Sequence, residues 1–233
     1  MTQLADLTLV RPEGVVWRVA RRPRNGDDEE LVFSYIHPEH AVLNAGNRFD
    51  VPGAGVLYAG TKVESCFAET LARFRPSKRI WQELLNEPGY MNAGAVPAAW
   101  RDDRILLELV TDPDGLPFVS IDDGETLDRL SQEEPLVREL AAWGLISDLD
   151  RSTLYSQDRR ITRILARWVY SQTDDTGQGL YAGLHYLSRL DKKWECWAIF
   201  DNRINVRVQD RVAIAANNVD LDKIVTRWKL TMH

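Results

Sequence analysis

The chain has 233 residues, 44% of them hydrophobic and 27% charged; this is enough apolar material for a core and an unlikely composition for a disordered chain. Lys and Arg number 29 against 35 Asp and Glu, a formal net charge of −6, which argues against a dedicated duplex-DNA binder, because phosphate contact needs clustered Lys and Arg. The two cysteines, Cys66 and Cys196, form no CxxC pair, so neither a zinc site nor a disulfide scaffold is expected.

Met1 to Val10 contains Asp6 and lacks a basic start followed by an apolar stretch, which reads against a signal peptide. No apolar run reaches the roughly 18 residues of a membrane helix. A soluble, cytoplasmic protein is expected. Val15 to Ala20 reads as a strand from its β-branched and aromatic content. Val15, Trp17 and Val19 share one face, and Val16, Arg18 and Ala20 the other. Arg21 to Glu30 is a charged loop containing Asn-Gly, and Leu31 to Ile36 a second short strand. Gly46 to Gly55, with three Gly and one Pro, is a loop, and Val56 to Ala59 a brief apolar strand.

Thr61-Lys62-Val63-Glu64 matches a capping box at a helix start. Val63, Cys66, Phe67, Leu71 and Phe74 then repeat at helical spacing, and Pro76 ends the helix. Cys66 lies on the buried face, which favours packing over catalysis; Glu69 lies at the border of that face, where a carboxylate can lean toward a cleft. Glu87 to Asp103, rich in Gly, Pro and Ala, reads as a surface excursion. Arg104 to Val110 is a strand ended by the turn Asp112-Pro113-Asp114-Gly115. Glu125 to Trp143 reads as a helix with an interruption at Pro135, and Asp158 to Gln172 as a helix with Ile161, Ile164, Leu165, Trp168 and Val169 on one face. Leu180 to Ser188, Trp194 to Phe200 and Arg211 to Ala216 read as closing strands joined by hairpins, with Trp194 and Trp197 in the core. Asp220 to Leu230 is a final helix. Without regular βαβ alternation, the order predicts an α+β fold in a single domain over 1–233.

The chain has no P-loop, no GxGxxG after a strand, no HExxH and no GxSxG. Gly177-Gln178-Gly179 is too short for a dinucleotide fingerprint. His37 and His40 sit three apart without a third ligand at clear spacing, so no metal is expected.

Four pieces together resemble the RES domain family. They are Trp17-Arg18-Val19; Gly46-Asn47-Arg48-Phe49; Val56-Leu57-Tyr58-Ala59 running on to Ala68-Glu69; and Gly183-Leu184-His185-Tyr186-Leu187-Ser188-Arg189 followed by Trp197 to Asp201. The likeness spans about 15–201, within a core of about 15–210. Asp50 stands where the family often has Asn. Residues 87–151 match nothing in the family pattern and read as an insertion, a lid or a partner surface. The resemblance implies a compact α/β domain similar to ADP-ribosyltransferases, with NAD as substrate and phosphate as a candidate co-substrate. It also implies an Xre-type antitoxin as protein partner.

Under that resemblance Glu69 and Ser188 are the expected catalytic residues, and Arg18, Arg48, Tyr58 and Tyr186 the expected NAD-binding residues. Cleaving a nicotinamide–ribose bond creates an oxocarbenium-like sugar, which a nearby carboxylate stabilises; that is the role implied for Glu69. Ser188 would bond a ribose hydroxyl or fix Glu69, and shares a strand face with Tyr186. Arg18 or Arg48 would take the pyrophosphate. Tyr58 would stack on nicotinamide or bond a ribose. Arg189 points to the other face and reads as a structural anchor. Each residue also has a plainer reading: Glu69 as a solvated helix carboxylate, Arg18 in a structural ion pair, Arg48 in an exposed loop, Tyr58 in the core, and Ser188 as filler. Three functions stay open: NAD glycohydrolase or phosphorylase, protein ADP-ribosyltransferase, and a binding module without turnover. Nucleic-acid binding fits the net charge poorly, although Arg18, Arg21, Arg22 and Arg24 cluster.

Overall fold

The computed structural model describes residues 7–23, 31–40, 46–77, 94–144 and 149–233. In chain order they form β1 (Leu9–Val10), β2 (Val16–Arg21), β3 (Ser34–Tyr35), β4 (Gly55–Gly60), α1 (Val63–Leu71), β5 (Ala95–Val96), α2 (Ala98–Asp102), β6 (Arg104–Thr111), β7 (Phe118–Ser120), α3 (Gly124–Ser131), α4 (Glu134–Ala142), α5 (Arg151–Leu154), α6 (Arg159–Ser171), β8 (Gly183–Leu187), β9 (Glu195–Phe200), β10 (Val206–Ala213), α7 (Val219–Trp228) and β11 (Thr231–Met232). One mixed sheet runs in the order β1-β7-β8-β9-β4-β2-β6-β10, with β3 pairing on β4; β5 and β11 form a separate parallel pair. Among the described strands of the large sheet, β7 and β8 are the one parallel pair. The α+β expectation is met.

The central strands are apolar on both faces, as a doubly covered sheet requires. On β4 and β9, Leu57, Ala59, Trp197 and Ile199 enter one cluster, while Val56, Ala198 and Phe200 enter another on the opposite face. The first of these clusters also takes Val10 of β1 and Val206 and Val208 of β10. The two sheet edges therefore meet over that face, and the sheet is curled. Helices cover the opposite face in two groups. α3, α4, α5 and α6 supply Leu130, Leu136, Leu154 and Leu165 to one cluster. α1, α2 and α7 supply Phe67, Trp100 and Ile224 to a second. A seam between the two groups is left over the middle of the sheet. Trp194 and Trp197 are core residues, as expected.

Several expectations are corrected. Thr61 does not cap α1: its hydroxyl donates to Glu195 and accepts from the Trp197 indole, and Lys62 occupies the cap position without a side-chain bond. The interruption expected at Pro135 is present: Glu125 to Trp143 is two helices, with Pro135 in the first turn of the second, where its missing N–H costs nothing. β8 and β9 form a hairpin, but β10 does not continue it; it starts at Val206, before the expected Arg211, and pairs with β6 at the far edge. The stretch 87–151, read as an insertion, supplies β6 between β2 and β10, β7 beside β8, and core leucines of α3 and α4. What is described of it is integral to the sheet, because its strands pair with partners distant in sequence. Trp100, inside the expected surface excursion, is 3% exposed. Residues 87–93 of that excursion, Arg24 of the basic cluster and the side chain of His40 lie outside the described residues. Among the described residues no helix is long and apolar enough to cross a membrane, and no cluster of His, Cys, Asp and Glu is placed to hold a metal.

Candidate active site

Glu69 leaves α1 at the seam, and β8 delivers Ser188 beside it. The Ser188 hydroxyl donates to Glu69 Oε1 at 2.6 Å and accepts from the Leu190 amide at 3.1 Å. Ser188 is wholly buried, so both uses of its oxygen are internal. Of its two expected roles, it performs the fixing of Glu69. Glu69 is exposed by surface area, yet surrounding protein withdraws its carboxyl from bulk water. Both hold for a side chain that remains open to water while one carboxylate oxygen is bonded to a buried serine. Burial pushes the Glu69 carboxyl above the usual carboxylate range; the Ser188 hydrogen bond, then Arg48 and Arg189, pull against that shift.

Arg48 approaches from the loop between β3 and β4. Gly46 opens the loop at φ +76°, a backbone conformation that residues with a side chain adopt only under strain. Asp50, fully buried, gathers the loop: it accepts from the Asn47 amide at 2.6 Å, the Ser34 hydroxyl at 3.0 Å and the Tyr58 hydroxyl at 2.8 Å. From α6, Arg159 donates to the Gly46 carbonyl and Thr162 to the Arg48 carbonyl. The loop is thus fixed, while the Arg48 guanidinium makes no hydrogen bond among the described residues. It lies 5.4 Å from the Phe49 ring centroid and 5.6 Å from that of Tyr155. Burial lowers its pKa, Arg189 lowers it further, and Tyr186, Tyr155 and Glu69 oppose this. A guanidinium remains charged at neutral pH regardless.

Tyr186 packs against Phe49 with ring centroids 4.5 Å apart and planes tilted by 48°, and its pKa is raised by burial, with Cys196, Glu69 and Tyr58 adding and Arg48 opposing. Glu69, Ser188, Arg48 and Tyr186 are therefore gathered at one place. Two expected residues hold the frame around it. The Tyr58 hydroxyl donates to Asp50 and accepts from the Phe49 amide, so its one donor is already used. Arg18 lies on the sheet face opposite the Tyr58 ring. β2 and β4 share only the Trp17–Gly60 pair. Where they part, Arg18 Nη1 donates to the Tyr58 carbonyl at 2.7 Å and Nη2 to the Val32 carbonyl at 3.2 Å. Arg18 thus secures strands instead of facing Glu69. Cys66 is likewise structural: its thiol points at the Trp17 carbonyl, and burial pushes its pKa up to about 12.

Three participants were missed by sequence reasoning. Arg189, expected to be only an anchor, is exposed and close enough to act on both Glu69 and Arg48; its place beside Ser188 was the available signal. Tyr155 flanks Arg48, and Asp122 holds the Tyr155 hydroxyl; both lie in turns, where no periodicity marks them.

The sequence profile of the RES domain matches residues 15–222. No curated protein matches the chain. Among solved structures, the chain is similar to one described as the crystal structure of the M. tuberculosis MbcT–MbcA toxin–antitoxin complex. The identity is 10% and the TM-score 0.44, over 90% of this chain and 86% of that one.

Proposed function

The chain belongs to the RES domain family, and from that premise we propose that it cleaves the nicotinamide–ribose bond of NAD, with water or phosphate as acceptor. The observation that supports this most is a serine-held carboxylate, Glu69, facing an arginine whose guanidinium has no protein hydrogen-bond partner among the described residues. The bond from the ribose carbon to the pyridinium nitrogen breaks, and its electron pair stays on nitrogen. Nicotinamide leaves neutral and needs no proton. The ribose carbon gains oxocarbenium character, which the Glu69 carboxylate stabilises. An oxygen of water or phosphate then bonds to that carbon; with water, one proton passes to solvent. Arg48 grips the pyrophosphate as a charged fork. Ser188 keeps Glu69 in place, and the Tyr186 ring walls the cleft.

The wider role within this proposal is a cytoplasmic, growth-arresting toxin paired with an Xre-type antitoxin. The test is to incubate purified protein with NAD and follow free nicotinamide, with and without phosphate, beside Glu69→Gln. Release that falls by at least about a hundredfold in the variant is expected, as for loss of one transition-state charge partner. Dependence on phosphate selects phosphorolysis. Release only on adding a protein acceptor replaces the proposal with ADP-ribosyl transfer. No release from folded protein under any of these conditions leaves a binding module.

A further inference from the structure

Asp122 lies in the turn between β7 and α3 and is 7% exposed. Its Oδ2 accepts from two donors far apart in sequence. One is the Tyr155 hydroxyl at 2.7 Å. The other is the Leu187 amide at 3.0 Å. Leu187 immediately precedes Ser188, which holds Glu69. Tyr155 presents its ring to Arg48, within the roughly 6 Å reach of a cation–π contact. The Asp122 backbone carbonyl also accepts from Arg151 Nε at 2.8 Å, tying down the helix that leads into Tyr155. One carboxylate oxygen therefore joins the seat of the arginine to the strand end that carries the serine.

We propose that Asp122 and Tyr155 form a positioning unit that sets Arg48 relative to Glu69, with Tyr155 acting through Arg48 and Asp122 acting on both sides of the cleft. This rests on the NAD-cleavage reading for its kinetic consequences but not for its geometry. Neither residue reacts. Tyr155 supplies a fixed π-face for a guanidinium that makes no hydrogen bond among the described residues. Asp122 fixes that ring, because a carboxylate bonded to a phenol and an amide cannot move without breaking both.

The kinetic consequences separate the two members. Tyr155→Leu removes the ring, and KM for NAD should rise roughly three- to thirtyfold, with kcat changed less. In an Arg48→Ala background the same change should add little, since the residue it acts through is absent. Asp122→Ala frees both sides, so kcat should fall as well as KM rise. Asp122→Asn keeps an oxygen acceptor in place and should restore most of the loss. A merely structural role predicts equal effects of Tyr155→Leu with and without Arg48, which would overturn the proposal.

A second readout does not depend on turnover. The Arg48 Nε–Hε resonance of the intact protein should carry ring-current contributions from both Phe49 and Tyr155; Tyr155→Leu should move the resonance by removing the second, and Asp122→Ala should move it less. An unmoved resonance in folded variants overturns the positioning unit even if NAD is cleaved. A moved resonance in a protein that never releases nicotinamide overturns the NAD reading and leaves the geometry standing.

Discussion

Glu69 sits where its chemistry and the stability of the fold pull in opposite directions. Ionised, it can stabilise a cationic sugar. Burial nevertheless raises its pKa, and the Ser188 hydrogen bond together with Arg48 and Arg189 recovers only part of that shift. The acid limb of kcat/KM should therefore lie above the ordinary Glu value of about 4.3. Ser188→Ala removes a bond that favours the charged form, so it should move that limb to still higher pH and lower kcat at neutrality; a pH–rate profile of both proteins checks this. The linkage sign follows from the same shift. A raised folded-state pKa means the folded protein binds the proton more tightly than the unfolded chain. Stability is then fully present below the unfolded pKa and lost as pH rises through the folded one. At pH 7 Glu69→Gln should melt at a higher temperature than wild type, and the gap should shrink as pH falls toward 4. A gap that is constant with pH would show that Glu69 is not held against its solvation.

The 46–51 loop shows how a loop, with no ladder to fix it, can still hold one side chain firmly. Its bonds converge on Asp50 and on the Tyr58 hydroxyl, and α6 reaches across to its carbonyls. Tyr58→Phe strips a donor from a buried carboxylate and an acceptor from the Phe49 amide. It should cost about 1–3 kcal/mol in urea denaturation, and it should raise KM for NAD more than it lowers kcat, because Arg48 loosens while Glu69 does not. Much at this scale was legible. The β-branched and aromatic content of Val15–Ala20 and the apolar run Val56–Ala59 marked strands, the 3.6-residue repeat marked α6, and Gly46 marked the loop that carries Arg48. The rest depended on meetings that no local pattern encodes. Tyr58 looked like a ligand-facing aromatic because Asp50, across a turn, is what occupies its hydroxyl. Arg18 looked ready for a phosphate because nothing in the sequence says that β2 and β4 part after one pair. β10 looked like the third arm of a meander because its partner, β6, lies about a hundred residues earlier. Asp122 and Tyr155, in separate turns, left no trace at all.

Across the whole molecule, the helical layer is divided into two groups over one curled sheet, and the candidate site draws on both groups at their seam. Glu69 comes from the α1–α2–α7 group; Arg48 and Tyr155 are held by the group built around α6. A small molecule touching both should act as a clasp, adding its binding free energy to the folded state alone. At about 100 times its Kd such a ligand contributes roughly 2.7 kcal/mol, which for a chain of this size is a rise in Tm of roughly 5–10 °C. Glu69→Gln makes the measurement possible, since it should bind NAD without consuming it. In that background NAD should raise Tm by such an amount, and adding Arg48→Ala should remove most of the rise at the same NAD concentration. Arg18→Ala in the same background should lower the starting Tm, because the Tyr58 and Val32 carbonyls lose their donor, yet leave the NAD-dependent rise in place. If Arg18→Ala abolished the rise while Arg48→Ala spared it, the arginine that grips the substrate would be the one on the opposite face of β2, and the seam would not be where the ligand binds.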